Sequence, residues 1–285
     1  MENAIHGAKE ERTLFYKMNI WFTLLYQPLV NCLIFFYQFL GQNLGLAIVA
    51  MTVFIRLLLI PLTLPSLKSA SKMKELAPEL GKLKKKYKNN QKAFAQAQIE
   101  LYKKAGVNPA AGCLPQIIQI VILIALFQAF NQVVRPNGDV IEKLNAVLYP
   151  ILQLPKTEAI KTGFLYLDLT KPDLIKLPFQ LNLLILKLDS LPGLFLLASA
   201  FTQFFSSKIM MPVAEAAKQK AEKTKEKEDD MAAMMQKQML YMMPLMTILI
   251  GFSFPSGLVL YWLTFSLFML VQQSFLIRNK NQANR

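Results

Sequence analysis

The chain has 285 residues, of which 54% are hydrophobic and only 18% charged, with 32 Lys and Arg against 18 Asp and Glu for a net charge of +14. No charge occurs between Lys17 and Arg56, between Lys104 and Arg135, or between Lys237 and Arg278, leaving gaps of 38, 30 and 40 residues. About 20 apolar residues cross a ~30 Å hydrocarbon core, so a soluble globule and a disordered chain are excluded in favour of a multi-span helical membrane protein.

Residues 1–43 begin with a polar stretch of mixed charge that does not read as a cleavable signal, so the first apolar segment is expected to be kept. That segment, about 18–40, carries Asn19, Thr23, Gln27 and Asn31 at steps of four, with Gln38 near the same face. A narrow polar stripe on an aromatic-rich helix fits an amphipathic helix in the interface, or a crossing with its stripe against protein. Gly41, Gln42 and Asn43 mark a turn, and 44–65 is expected as the first transmembrane helix. Gly41 and Gly45 spell GxxxG, for which a turn is the simpler reason.

Residues 66–108 read as a basic helical hairpin. Met73, Leu76, Leu80, Leu83 and Tyr87 fall at alternating steps of three and four, and Lys88-Asn89-Asn90 supplies a turn. Pro78 is expected to kink the first arm, and Phe94, Ala97 and Leu101 line the second. The arm is either a solvated hairpin held to lipid by its lysines or a mobile element that meets incoming chains.

The second transmembrane helix is expected over 109–134, ended by Arg135-Pro136-Asn137-Gly138, and a loop over 135–190. Within that loop, 174–189 is apolar with Lys176, Lys187 and Asp189 interspersed, which suits an interfacial approach segment. A third helix follows over 191–211, then a charged loop, 212–237. Phe254-Pro255-Ser256-Gly257 divides the last gap into helices at 238–254 and 257–277, before a basic tail, 278–285. Met231, Met235, Met239, Met242 and Met246 form a stripe into the fourth span, either as core packing or as an adaptable contact surface.

Basic residues orient the chain. Loop 66–108 holds 11 basic and 3 acidic residues, 135–173 holds 5 of each, 208–237 holds 7 and 6, and the tail holds 3 and none. With five crossings, 66–108, 208–237 and the tail are cytoplasmic and 135–190 is external. The positive charge then records topology and anionic lipid first, with nucleic acid a poorer explanation.

Arg56 is the most informative residue, because it lies inside an apolar span. A central arginine costs ~2.5–3.5 kcal/mol on insertion scales and usually faces protein or a wet cavity. The simpler alternative is snorkelling to the inner headgroups. None of the five spans contains Asp or Glu. Gln116 and Gln119 share a face of the second span, and Gln203 and Ser206 a face of the third. Each alone reads as glue between helices, whereas together with Arg56 they would line a hydrophilic groove. The chain has one histidine and two cysteines, Cys32 and Cys113, without a CxxC, so neither a metal site nor a disulfide framework is expected. Walker A, HExxH, GxSxG and Rossmann motifs are absent, and neither an enzymatic reaction nor a cofactor is expected.

Five blocks in order resemble the YidC/Oxa/Alb family of membrane protein insertases, most closely its short bacterial members. They are Gly45-Leu-Ala-Ile with Ile55-Arg56-Leu-Leu-Leu-Ile-Pro61-Leu-Thr63, then Gly106-Val-Asn-Pro109 leading to Gly112-Cys-Leu-Pro115, and Phe164-Leu-Tyr-Leu-Asp168-Leu. Thr202-Gln-Phe-Phe-Ser-Ser-Lys208 and Phe254-Pro255-Ser-Gly257-Leu-Val-Leu-Tyr261-Trp262 complete the set. The resemblance covers about Leu29 to Gln273. It implies an all-α, five-helix core with an N-terminal interfacial helix, a cytoplasmic hairpin and a groove open to cytoplasm and lipid.

It further implies that Arg56 draws the polar or acidic leading part of a nascent membrane protein into that groove, and that Gln119 and Trp262 match family positions. Val121 stands where many members have proline, and Ser206 where glutamine is common. The resemblance is to members without the large outer β domain and the long ribosome-binding tail, so neither is expected. The implied partners are nascent membrane proteins and lipids, with the Sec translocon and, weakly, the ribosome as further candidates, and no DNA. A small-anion transporter built on Arg56 and a scaffold for a membrane complex are the rival classes. The implied location is the bacterial inner membrane.

Overall fold

In the computed structural model, residues 21–87, 90–108, 114–134, 140–155, 159–183, 186–210 and 231–283 are described. The chain is mostly helical. Its contacts fall into two compact units: residues 1–52, 118–172 and 254–261 make the first, and 53–117, 173–253 and 262–285 the second.

The first unit starts with one π-helical turn, Phe22–Tyr26, that runs into α1, Gln27–Phe39. Tyr26, Val30 and Ile34 project every fourth residue into a core with Ala129, Ile141, Leu144, Val147, Leu148 and Leu154. The polar stripe of α1 faces protein. Asn31 donates to the Val147 carbonyl at 3.2 Å and accepts the Tyr149 N–H at 2.7 Å, Gln27 also reaches Val147 at 3.0 Å, and Gln38 reaches the Leu152 carbonyl at 3.2 Å. These amides satisfy backbone groups of an irregular segment, which would be costly to leave unmet near lipid. Asn19 lies outside the described residues.

Gly41 and Gln42 take left-handed backbone, φ 70° and 59°, and turn the chain into α2, Leu44–Glu75. Asn43 caps that helix by accepting the Leu46 N–H at 3.0 Å. Gly45 has a different role from Gly41: the Phe164 ring lies where a Cβ would be. That ring comes from a small antiparallel hairpin, β1 (Gly163–Phe164) and β2 (Leu167–Asp168), whose turn places Leu165 at φ 53°. Asp168 anchors it, with Lys171 Nζ 2.9 Å from one carboxylate oxygen and the Thr170 hydroxyl 2.7 Å from the other. The backbone of 168–171 then pins the start of α9, Ser256–Ala283: Ser256 N–H donates to the Lys171 carbonyl at 2.7 Å and Gly257 N–H to Leu169 at 3.0 Å. Within the same unit lie α6, Val140–Asn145, and the greater part of α5, Leu114–Val134.

Several expected boundaries move. α2 continues through Pro61 and Pro65 to Glu75 instead of stopping near 65; at 32 residues it spans about 48 Å, well beyond a hydrocarbon core. The arm is interrupted near Pro78, as a break between helices and not as a kink within one. The chain breaks at Leu76, and Pro78 sits in the first turn of α3, Ala77–Lys86, where its missing N–H costs nothing. The arm returns as α4, Gln91–Lys104, capped by Asn90 accepting the Ala93 N–H at 3.0 Å; Lys88 and Asn89 lie outside the described residues.

The segment 174–189, expected to approach the interface, takes the form of a second antiparallel hairpin, β3 (Leu174–Leu183) and β4 (Leu186–Pro192), so that Leu191 and Pro192 are strand and the next helix, α7, starts at Leu194 and ends at Met210. α7 packs with α8, Met231–Gly251, and Gly251 gives the Leu196 side chain room to approach. Of the methionine stripe, Met242 and Met246 are exposed, which removes core packing as their explanation.

Candidate functional site

Over residues 44–65 of α2 the one charge is Arg56, and the helix turns that residue inward. Arg56 is 4% exposed, whereas Leu57, Leu58 and Leu62 are 53%, 68% and 51% exposed. Its guanidinium carbon lies 3.7 Å from the centroid of the Phe265 ring, and Nη1 donates to Met269 Sδ at 3.8 Å. Phe265 and Met269 are four residues apart on α9, so one helix face supplies both contacts. A ring face in place of water contributes about 0.5–2 kcal/mol toward holding the cation.

Ser206 meets the same turn of α9, its hydroxyl donating to the Ser266 carbonyl at 3.4 Å. Arg56 on α2 and Ser206 on α7 thus converge on residues 265–269. Trp262, half-buried, stands one turn earlier on α9. Gln203 is occupied elsewhere: its Oε1 accepts the Thr247 hydroxyl at 2.5 Å, which ties α7 to α8. The Gln116 side chain lies outside the described residues. Gln119 belongs to the other unit, where it is buried and exchanges hydrogen bonds with the Tyr261 hydroxyl at 3.1 and 3.3 Å.

Sequence reasoning missed Phe265, Met269, Tyr261 and Thr247 as partners. Only Tyr261 carried a signal, as part of the block ending in Trp262. It also missed Gln272 and Gln273, one turn beyond Met269. The Gln272 amide nitrogen and the Gln273 amide oxygen are buried without a hydrogen-bonding partner among the described residues. An unmet buried amide costs about 1–3 kcal/mol, so two in succession on the helix that holds Arg56 mark this stretch as polar. No group of three or more His, Cys, Asp or Glu side chains is placed to hold a metal ion among the described residues.

Residues 35–284 match the family described as 60Kd inner membrane protein. The chain belongs to the YidC/Oxa/Alb family of membrane protein insertases. Among similar proteins, each described as membrane protein insertase YidC, that of Fusobacterium nucleatum is 33% identical over 83% of this chain and 87% of its own length. That of Oceanobacillus iheyensis is 31% identical over 89% and 82%. The protein of Syntrophobacter fumaroxidans is 32% identical over 91% of this chain, which spans 39% of that longer relative.

Family membership places the apolar helices in the inner membrane as a multi-pass protein. Phe22–Phe39, Leu44–Met73 and Ser256–Phe275 are long and apolar enough to cross, and Ile117–Phe130, Leu194–Ile209 and Leu240–Gly251 are shorter apolar helices.

Proposed function

We propose that this chain is an insertase and folding chaperone that takes nascent membrane proteins into a hydrophilic intramembrane groove and releases their apolar helices to lipid, without a covalent step. The observation that carries the proposal is Arg56: a cation turned inward from an apolar helix and resting on a ring face and a thioether. Both are soft contacts. A client carboxylate would form charge-assisted, bidentate hydrogen bonds with the same guanidinium, roughly twice as strong as neutral ones, and could draw it off Phe265 and Met269.

The groove residues in this reading are Arg56, Gln116, Gln119, Gln203, Ser206 and Trp262. Gln272 and Gln273 join them, since a wet or client-filled groove would meet their amides. Five crossings, at α2, α5, α7, α8 and α9, leave 66–108, 212–237 and 278–285 in the cytoplasm and 135–190 outside. α1 would then lie at the outer interface with its stripe against the external segment. The groove shortens the apolar barrier that a hydrophilic client segment must cross. Transfer of the client's apolar surface to lipid, at roughly 25 cal/mol per Å², drives the remainder, and no nucleotide or cofactor is required. The Sec translocon would be an auxiliary partner, and ribosome contact would be weak.

Photocrosslinking from position 56 to a stalled nascent membrane protein tests this. The reading expects adducts with the client's leading polar segment. Adducts with lipid or with the chain's own helices alone would reject it.

A further inference from the structure

The β3–β4 hairpin has no place in the groove mechanism, yet its pattern is unusually regular. Along β3, positions 175, 177, 179, 181 and 183 are Ile, Leu, Phe, Leu and Leu, while 176, 178, 180 and 182 are Lys, Pro, Gln and Asn. The pairing register respects this alternation. Leu181 is opposite Leu188 and Leu183 opposite Leu186, with Asn182 opposite Lys187 between them; nearer the base, Ile175 is opposite Leu191 and Lys176 opposite Ser190. The alternation in β4 breaks only at the adjacent polar residues Asp189 and Ser190, and the register shifts in that same interval, between Lys176 and Leu181 on β3. The shift keeps like opposite like, but Leu188 and Leu191 on β4 stand three residues apart, so the tip and the base are separate paired stretches and the base carries its own apolar pair, Ile175 and Leu191.

The depth of this hairpin is fixed at its base. Gly193 N–H donates to the Asp173 carbonyl at 2.8 Å, and the Asp173 carboxylate accepts the Leu196 N–H at 2.9 Å. Both ends of the hairpin are therefore stitched to the first turn of the apolar helix α7. Exposed apolar side chains continue across that joint, through Ile175, Leu191, Leu194, Leu197 and Phe201. In a membrane protein such a band along α7 faces lipid. A two-stranded hairpin is marginal in water unless one face is covered, and its open edges must remain hydrated, which keeps it out of the hydrocarbon interior.

We propose that the base of the β3–β4 hairpin lies on the bilayer surface at the end of α7, with Ile175 and Leu191 in the boundary between headgroups and acyl chains and the Lys176 position toward lipid phosphate. It extends the lipid-facing side of α7 into a membrane-surface platform, independently of the groove.

The test uses the full chain with Cys32→Ser and Cys113→Ser, in phosphatidylethanolamine–phosphatidylglycerol vesicles. Spin labels are placed singly at Ile175→Cys, Lys176→Cys, Ser190→Cys and Leu191→Cys. Collision with oxygen is expected to exceed collision with a water-soluble nickel chelate several-fold at 175 and 191, and to fall below it at 176 and 190. Equal nickel access at all four positions would overturn the proposal in favour of a hairpin in water. Positions 175 and 191 shielded from both reagents would overturn it in favour of a protein partner, such as a second copy of this chain. The two strands are independent readings, so a label that disturbs one strand leaves the other to decide.

Discussion

At the scale of single residues, the structure separates two glycines that the sequence presents alike. Gly41 is required by its left-handed backbone, whereas Gly45 is required by the Phe164 ring against it. Gly45→Val should therefore overpack that contact and cost about 1–3 kcal/mol, read as a lower thermal midpoint in detergent. An unchanged midpoint would mean that Phe164 has other room. Asp168 gives a pH signature. Hydrogen bonds from Lys171, then Thr170, hold its carboxyl down at about 2 from an ordinary 3.8. Because the folded value is depressed, the stabilisation is complete above about pH 4 and is lost as pH falls through about 2. Amides of 163–171 should exchange faster near pH 2 than near pH 5, after correction for intrinsic rates, and Asp168→Asn should abolish that difference.

At the scale of elements, legibility followed the source of the signal. Uncharged runs and Pro-Ser-Gly punctuation revealed most helices because charge exclusion and backbone chemistry act locally. The length of α2 was hidden because proline is a helix breaker on average, yet Pro61 and Pro65 are accommodated here. The β3–β4 hairpin was hidden because lysines scattered through an apolar segment speak to its place at a membrane surface and not to its backbone, for which the signal is the period of two along 175–183. The α1 stripe could not be assigned from sequence, since its partners, Val147, Tyr149 and Leu152, lie over a hundred residues away.

The basic arm, α3 and α4, is short-helical and holds few buried side chains, and elements of that kind open at low cost. Amide exchange across 77–104 should be much faster than in the 257–275 stretch of α9. Comparable protection would show that the arm is docked. Asn90→Ala should accelerate exchange in the first turn of α4 further, since losing a cap costs about 1 kcal/mol.

At the scale of the whole molecule, family and location were legible because several spaced blocks, those around Arg56, Asp168 and Phe254–Trp262 among them, together resemble one family, which the family match over 35–284 shows. The candidate site was legible only in part. An isolated charge in an apolar run announces Arg56, but nothing in the spacing of Phe265 and Met269 shows that α9 would hold it, and glutamines that bond each other's helices look the same in sequence as glutamines that line a groove. The topology rests on the basic-residue counts. A membrane-impermeant thiol reagent added to intact cells should modify a cysteine at 161 and leave one at 86 unmodified, and the opposite pattern would invert the orientation.

The central claim is that the charge of Arg56 attracts the client. Insertion of several clients with acidic external segments into vesicles, measured beside thermal unfolding of the same protein, tests it most directly. Arg56→Lys should retain much of the activity, because it keeps the charge. Arg56→Ala should lose insertion of those clients while the protein stays folded, with a thermal midpoint well above the assay temperature. A stably folded Arg56→Ala protein that inserts every acidic client at the parental rate would contradict the account.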